Sequence, residues 1–288
     1  MSNFWQTFDE AAARFAGNTA IEIQRADRLD RFTYRELHDM ASVRAAWLSS
    51  NGIGKGDRCA ILAHNDAHWC AAYLGILKLG AVAVPLFMLF GPDGLRLRID
   101  DCKPKVLLTT ADKAPIAVGI AGLDTVICDA NWLAALRQHP DTYDWQSSAD
   151  DLACFQYTSG TTRELPEAIR HTHRAIVLVM IAALYGTGIR PGDEFFCPSS
   201  PAWGHGLWHG TLAPLALGVT TGAYAGRFDP ARLLKALSDY RITNLSAAAT
   251  HYRMMRTCGA AERYAYAFDK LSFTGEPIDS ETPCRTIG

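Results

Sequence analysis

The sequence predicts an α/β fold, built as two mostly parallel sheets covered by helices. Three observations carry this. A short apolar run followed by a helical pattern recurs along the chain, and such alternation marks parallel strands joined by crossover helices. The strand segments are continuous apolar runs, Cys59-Ala60-Ile61-Leu62-Ala63 for example, so both sheet faces are to be covered. Finally, the 288 residues are 49% hydrophobic and 20% charged, which suits a packed core without disulfide staples and excludes global disorder.

Taken in order, Thr33-x-x-Glu36 reads as a capping box opening a helix whose apolar face is Leu37, Met40, Ala41 and Leu48. Gly52-Ile53-Gly54-Lys55-Gly56 follows that helix and precedes a strand. A dinucleotide-binding glycine loop has the reverse context, so this is a helix end and turn. The strand over 59–63 comes next. Asp66 caps a helix with Trp69, Ala72, Tyr73, Ile76 and Leu77 on its apolar positions, ending near Gly80. A strand over 81–84, a helix from Pro92 to Asp101, and strands over 105–109, 125–128 and 152–157 follow. The last strand runs into a polar loop, and a long apolar helix is expected from Thr172 to Tyr185. The second half repeats the habit, with a strand over 194–197, a helix over 207–217 and a strand over 219–223. Asp229-Pro230 pairs an N-cap with a proline at the first helical position, opening a helix to Tyr240. A strand over 241–248, a helix over 250–256 and a strand over 271–274 complete the pattern.

Charge and cysteine usage exclude several classes. Lys and Arg number 28 against 30 Asp and Glu, a net charge of −2, whereas a dedicated nucleic-acid binder carries a basic excess. The longest apolar run, Ala175 to Tyr185, is short of the roughly 18–20 residues of a membrane-spanning helix. The first residues lack the basic-then-apolar order of a secretory signal. The 8 cysteines form no Cys-x-x-Cys and read as buried reduced thiols, so the expected location is cytoplasmic.

Ligands of parallel α/β sheets gather at the carboxyl ends of strands. There the sequence places Tyr157-Thr158-Ser159-Gly160-Thr161-Thr162. Hydroxyls and backbone N–H groups around one glycine can surround a polyphosphate, although a plain Ser/Thr/Gly turn has the same composition. No Gly-x4-Gly-Lys-Ser/Thr string occurs, so this is not a Walker A loop. Trp203, Gly204-His205-Gly206 and Trp208 can line an apolar slot in which an imidazole bonds a carboxylate or phosphate. Satisfied buried histidines are the alternative. His205 and His209 stand one helical turn apart, but no third metal ligand accompanies them.

Thr158-Ser159-Gly160-Thr161-Thr162, followed by Leu165-Pro166 and His173-Arg174, resembles the phosphate-binding signature of the adenylate-forming (AMP-binding) superfamily. Phe32-Thr33-Tyr34-Arg35-Glu36-Leu37 resembles its early Thr-Tyr-x-Glu-Leu element, and Leu77-Lys78-Leu79-Gly80-Ala81…Val84-Pro85 its Leu-Lys-x-Gly-Ala…Val-Pro segment. Leu89-Phe90-Gly91-Pro92 and Gly275-Glu276-Pro277-Ile278 look like the acyl- and aryl-CoA synthetase branch. The resemblance runs from about residue 30 to 280. It implies the N-terminal domain of such an enzyme, with ATP, Mg²⁺ and CoA as cofactors and a small carboxylic acid as substrate. In that family a carboxylate attacks the α-phosphate of ATP, and the CoA thiol then displaces AMP. Carried onto this chain, Thr158, Ser159, Gly160, Thr161 and Thr162 hold phosphate, with Thr161 toward the metal, and Gly275, Glu276 and Pro277 flank adenine. Trp203, His205, Gly206 and Thr250 border the acid, His205 with a catalytic role. Thr250-His251-Tyr252-Arg253-Met254 resembles the family's Pro-Thr-x-Tyr pocket helix, with Ala249 in place of proline. The implied organisation is a first subdomain over 51–188 carrying the phosphate loop, and a second formed by 1–50 with 189–288 carrying the acyl and adenine elements. Self-association into a homo-oligomer is left open.

Two departures bear on function. Where the family continues Gly-x-Pro-Lys-Gly, this chain reads Arg163-Glu164-Leu165-Pro166-Glu167-Ala168. Two like charges 4 Å apart interact by about 4 kcal/mol at an effective dielectric near 20. Glu167 is therefore expected to face solvent while another cation, Arg163 or Arg170 for instance, serves the phosphates. The family's later Tyr-Gly-x-Thr-Glu and Thr-Gly-Asp segments, its hinge and its C-terminal domain have no counterpart in residues 281–288. The reading is an ATP-dependent carboxylic acid–CoA ligase present as a truncated N-terminal portion, expected to be inactive alone. The alternative is a non-catalytic, degenerate nucleotide-binding or interaction module.

Overall fold

The structure, a computed structural model, describes residues 3–25, 28–145, 147–157, 167–224 and 228–278. Along the chain, helix α1 (Phe4–Arg14) leads to strands β1 (Thr19–Gln24) and β2 (Leu29–Thr33) and helix α2 (Tyr34–Ser50). Then come β3 (Arg58–Leu62), α3 (Ala67–Leu79), β4 (Val82–Pro85), α4 (Pro92–Cys102), β5 (Val106–Thr109), β6 (Asp124–Ile127) and α5 (Ala130–Leu136). After these lie β7 (Leu152–Tyr157), β8 (Ala168–Thr172), α6 (His173–Ala182) and β9 (Glu194–Phe196). A π-helical segment, His205–Leu212, continues as α7 (Ala213–Ala216) and is followed by β10 (Thr220–Tyr224), α8 (Pro230–Asp239), β11 (Asn244–Ala248), α9 (Ala249–Thr257) and β12 (Lys270–Thr274).

The chain divides into two compact units, Met1–Glu10 with Arg35–Val177 and Ala11–Tyr34 with Leu178–Gly288. This differs from the division expected from sequence, which placed all of 1–50 with 189–288. The reason is close packing. A side chain on Gly75 of α3 would come within 2.7 Å of the Ala41 carbonyl oxygen, so α2 lies directly on α3. Lys78 sits 4.7 Å from the Trp5 ring, and Asn3 Nδ2 donates to the Ser147 carbonyl at 2.7 Å, which ties the first residues to the same unit.

In the first unit the strand order is β6-β5-β3-β4-β7-β8. The β7–β8 pairing is antiparallel and the others are parallel. Leu62, Val84, Leu95, Ile99, Leu107, Phe155 and Tyr157 pack one core of this unit. The Asp66 carboxylate accepts the Trp69 N–H at 2.9 Å, and Gly80 closes α3 in the left-handed region at φ 80°. The expected strand–loop–helix after residue 157 is corrected here. An exposed strand, β8, precedes the helix, which starts at His173 and ends in a π-helical turn over Ala183–Thr187.

In the second unit the order is β12-β11-β9-β10-β1-β2, with antiparallel pairing between β1 and β2 and parallel pairing elsewhere. Phe196, Leu233, Leu237, Tyr240, Leu245, Tyr252 and Met255 form a core of this sheet and its helices. Lys270 Nζ donates to Asp193 Oδ2 at 2.7 Å and to the Gly188 carbonyl at 3.0 Å, stitching the amino-terminal ends of these strands to the segment before β9. Among the described residues 7 cysteines are free thiols, and no helix is long and apolar enough to cross a membrane.

Candidate functional site

Because β9, β11 and β12 are parallel neighbours, the segments that follow them leave the second unit's sheet at one end. Those segments carry His205, Thr250 and Gly275-Glu276-Pro277. The turn after β12 needs Gly275, whose φ of 92° lies in the left-handed region. Glu276 then projects back toward α9. Its Oε1 accepts from Thr250 Oγ1 at 3.0 Å and its Oε2 from Arg253 Nη1 at 2.6 Å. Arg253 Nη2 also donates to the Pro277 carbonyl at 2.6 Å. Thr250 and Arg253 are three apart on one helix, so both face the turn. The Arg253 guanidinium, then the Thr250 hydroxyl, hold the Glu276 carboxyl below the usual range.

His205 opens the π-helical segment after β9. Its Nδ1 lies 3.1 Å from Ser199 Oγ and 3.6 Å from Cys197 Sγ, and its Nε2 lies 2.9 Å from Ser246 Oγ on β11. Ser272 Oγ on β12 donates to Ser246 Oγ at 2.8 Å, as the 246–272 register dictates. Burial, then the neighbouring His209 and His251, pushes the His205 imidazole down to about 4. It is therefore neutral at pH 7. The His209 ring stands 5.8 Å away. His251 Nδ1 accepts the Ala248 N–H at 3.2 Å at the start of α9, and burial pushes this ring down to about 4 as well.

The structure thus brings Thr250 into contact with Glu276, ties Pro277 to Arg253 on the same helix, and sets His205 after the neighbouring strand. Gly206 has a packing job. A Cβ there would fall 2.2 Å from the Ser200 carbonyl oxygen and 2.4 Å from that of Ser199, so the helix presses on the chain leaving β9. Trp203 is half-buried in the turn that precedes it. Arg253, Ser199, Ser246 and Ser272 carry site contacts that the sequence reading assigned no role. Arg253 had a findable signal in its spacing from Thr250. The serines had none, because only strand register brings them together.

The predicted phosphate residues Thr158, Ser159, Gly160, Thr161 and Thr162 lie outside the described residues. The strand that leads into them is anchored. Tyr157 Oη donates to Asp101 Oδ2 at 2.6 Å and also lies 3.0 Å from the Arg98 carbonyl. Beyond them Glu167 is exposed, and Arg170 stacks its guanidinium 5.2 Å from the Phe155 ring centroid.

Comparison with known proteins identifies the family. The AMP-binding enzyme family matches residues 8–286. A 3-hydroxybenzoate–CoA/4-hydroxybenzoate–CoA ligase of Thauera aromatica is 30% identical over 249 residues, covering 81% of this chain and 47% of the relative. An acetyl-coenzyme A synthetase of Bacillus subtilis is 27% identical over 300 residues, covering 96% of this chain and 51% of its own length. The chain thus spans about half the length of these relatives. Among solved structures, the inhibitor-bound N-terminal domain of FACL13 from Mycobacterium tuberculosis superposes with a TM-score of 0.89 at 24% identity, covering 98% of this chain and 72% of that one. That likeness concerns the fold. The extent of the family match, on a fold of this architecture, means that the chain belongs to the AMP-binding enzyme family.

Proposed function

We propose that this chain supplies the acid- and nucleotide-binding part of an ATP-dependent carboxylic acid–CoA ligase. The observation that carries the reading is the convergence at one sheet end: Gly275-Glu276-Pro277 clamped by Thr250 and Arg253, with His205 after the neighbouring strand. In this reading the clamped turn flanks adenine, and Thr158, Ser159, Gly160, Thr161 and Thr162 hold the polyphosphate. Trp203, His205 and Thr250 border the acid. Bringing a carboxylate and a phosphate together in fixed geometry is most of what such a reaction needs from its protein.

Magnesium would offset polyphosphate charge when bound. Both Glu276 oxygens are already engaged by Arg253 and Thr250, so Glu276 does not fit as its ligand. The metal role rests on Thr161. The acid is small or aromatic. The neighbouring His205 and His209 rings favour a short, flat slot, and the hydroxybenzoate ligase among the relatives has a matching substrate class. Free, mostly buried thiols favour a cytoplasmic location.

The rival is a nucleotide-binding module without catalysis, favoured by Glu167 at the position where the family carries lysine. Calorimetric titration with benzoylsulfamoyl-adenosine, a stable mimic of an aryl-adenylate, tests the ligase reading first. Saturable binding by the folded chain supports it, and no binding overturns it. Comparison of the affinities for benzoylsulfamoyl-adenosine and for AMP then separates the two readings, since the rival has no acid site to reward the aryl group and binds both alike.

A further inference from the structure

His205 is held at both ring nitrogens by a file of hydrogen-bonding side chains, Ser272 and Ser246 on one side and Ser199 on the other. Ser272 donates its hydroxyl proton to Ser246 Oγ at 2.8 Å. Ser246 has its own proton left for His205 Nε2, 2.9 Å away. At the other end Nδ1 faces two groups that can accept its proton, Ser199 Oγ at 3.1 Å and Cys197 Sγ at 3.6 Å. A neutral imidazole has one donor and one acceptor nitrogen, so an Nε2 that accepts from Ser246 leaves the proton on Nδ1. Nδ1 carries the proton and Nε2 accepts.

We propose that Ser246 and Ser272 are positioning residues that lock His205 in the Nδ1–H tautomer, making it a fixed neutral wall of the acid site rather than a proton-transfer group. This rests on the ligase reading for what the wall faces. Both nitrogens are occupied by protein hydroxyls, and any proton exchange with a bound acid would have to break the file. The backbone enforces the same geometry. A Cβ on Gly206 would strike the Ser199 and Ser200 carbonyls at 2.4 and 2.2 Å, and one on Gly210 would lie 2.9 Å from Cys197 Sγ. The helix carrying His205 is therefore seated directly on the segment carrying Cys197 and Ser199. The opposite partners come from two strands in fixed register, Ser246 opposite Ser272. The charged and titratable groups around the ring are the Cys197 thiol beside Nδ1, His209 on its own helix and His251 on α9, all of which burial keeps toward the neutral form.

The test is the tautomer itself. In the chain labelled with ¹⁵N-histidine, long-range proton–nitrogen spectra distinguish Nδ1–H from Nε2–H, with His205 assigned by comparison with His205→Asn. The expected result is one Nδ1–H tautomer, unchanged from pH 5.5 to 8. Ser246→Ala is expected to give a mixture of tautomers, and Ser246→Thr, which keeps the hydroxyl, to restore the single one. A wild-type Nε2–H tautomer overturns the proposal, as does a Ser246→Ala spectrum identical to wild type. Titration of benzoylsulfamoyl-adenosine into the same samples adds a functional reading. Weaker binding by Ser246→Ala, recovered in Ser246→Thr, supports the positioning role, and equal affinity of wild type and Ser246→Ala overturns it. Absence of binding by the wild type overturns the ligase reading instead, and the tautomer spectra still decide the hydrogen-bond file.

Discussion

Arg253 grips the turn after β12 twice, with Nη1 on Glu276 Oε2 and Nη2 on the Pro277 carbonyl, both at 2.6 Å. The first grip is electrostatic and the second is positional, since a backbone carbonyl can be reached only when the turn has this shape. The pair is exposed, and exposed ion pairs add little to global stability. Arg253→Ala is therefore expected to leave the thermal unfolding midpoint almost unchanged while weakening binding of benzoylsulfamoyl-adenosine. A large drop in the midpoint with affinity intact would refute the assignment of this contact to the site.

The same contact sets a pH expectation. The guanidinium and the Thr250 hydroxyl hold the Glu276 carboxyl below its ordinary value of 4.5 in the folded protein. A depressed carboxyl contributes its stabilisation above the unfolded value, and loses it as pH falls through the folded one. The clamp should accordingly survive at pH 5. Carbon-detected titration of the Glu276 carboxyl should give a midpoint below 4.5, and Arg253→Ala should move it upward. A midpoint that is unmoved by the substitution would show that the guanidinium is not its cause.

Histidines give the larger pH effect, in the opposite sense from a paired histidine. Burial holds His173, His205 and His251 at about 4 in the fold, against 6.5 for the free group. Between these values the unfolded chain binds more protons, so stability falls as pH is lowered from 6.5 toward 4 and is fully present above 6.5. Each such histidine contributes a slope of up to about 1.4 kcal/mol per pH unit within that window. Urea unfolding at pH 7, 6 and 5 should show the decline, and His205→Gln should flatten part of it. Constant stability across the series would contradict neutral burial of these rings.

Gly206 and Gly186 make a matched pair for packing. A methyl on Gly206 meets carbonyl oxygens at 2.2 and 2.4 Å, whereas one on Gly186 meets nothing within 4 Å. Gly206→Ala is expected to cost about 1–3 kcal/mol through forced backbone movement. Gly186→Ala should be close to neutral. Denaturant midpoints of the two variants check the contrast, and equal midpoints would place the His205 helix farther from the Ser199–Ser200 chain than described.

Local capping is tested most simply at α3. Asp66→Ala removes the acceptor of the Trp69 N–H, 2.9 Å away, and should cost about 1 kcal/mol by loss of one helix cap. Asp66→Asn, which keeps an acceptor, should recover most of it in the same unfolding measurement.

Much of this architecture is legible in residue order because its signals are local. Continuous apolar runs at Cys59-Ala60-Ile61-Leu62 and Val82-Ala83-Val84 can only be buried strands, and Asp66, Gly80 and Asp229-Pro230 punctuate helices by their own chemistry. The elements that went unread lack such marks. β8 exposes Ile169 and Arg170, and nothing in its five residues demands a sheet until β7 offers a ladder. β1 buries Glu22, which local pattern argues against and which Arg31 on β2 makes tolerable by donating to its carboxylate at 2.6 Å. In the π-helical segment His205–Leu212, Gly206 and Gly210 press on the segment after β9, a constraint invisible along the sequence.

The candidate site divides in the same way. Residue types and their order already named the family resemblance and placed His205, Thr250 and Gly275-Glu276-Pro277 near strand ends, because each lies close behind its own apolar run. Which groups touch was decided by register and packing. Arg253 and Thr250 meet Glu276 only because β11 and β12 run parallel and end together, and Ser272 stands behind the Ser246 that meets His205 only because their strands pair at that register. Local order sets what a residue can do through short-range propensity and chemistry. Long-range contacts, made between residues dozens of positions apart, set what it does.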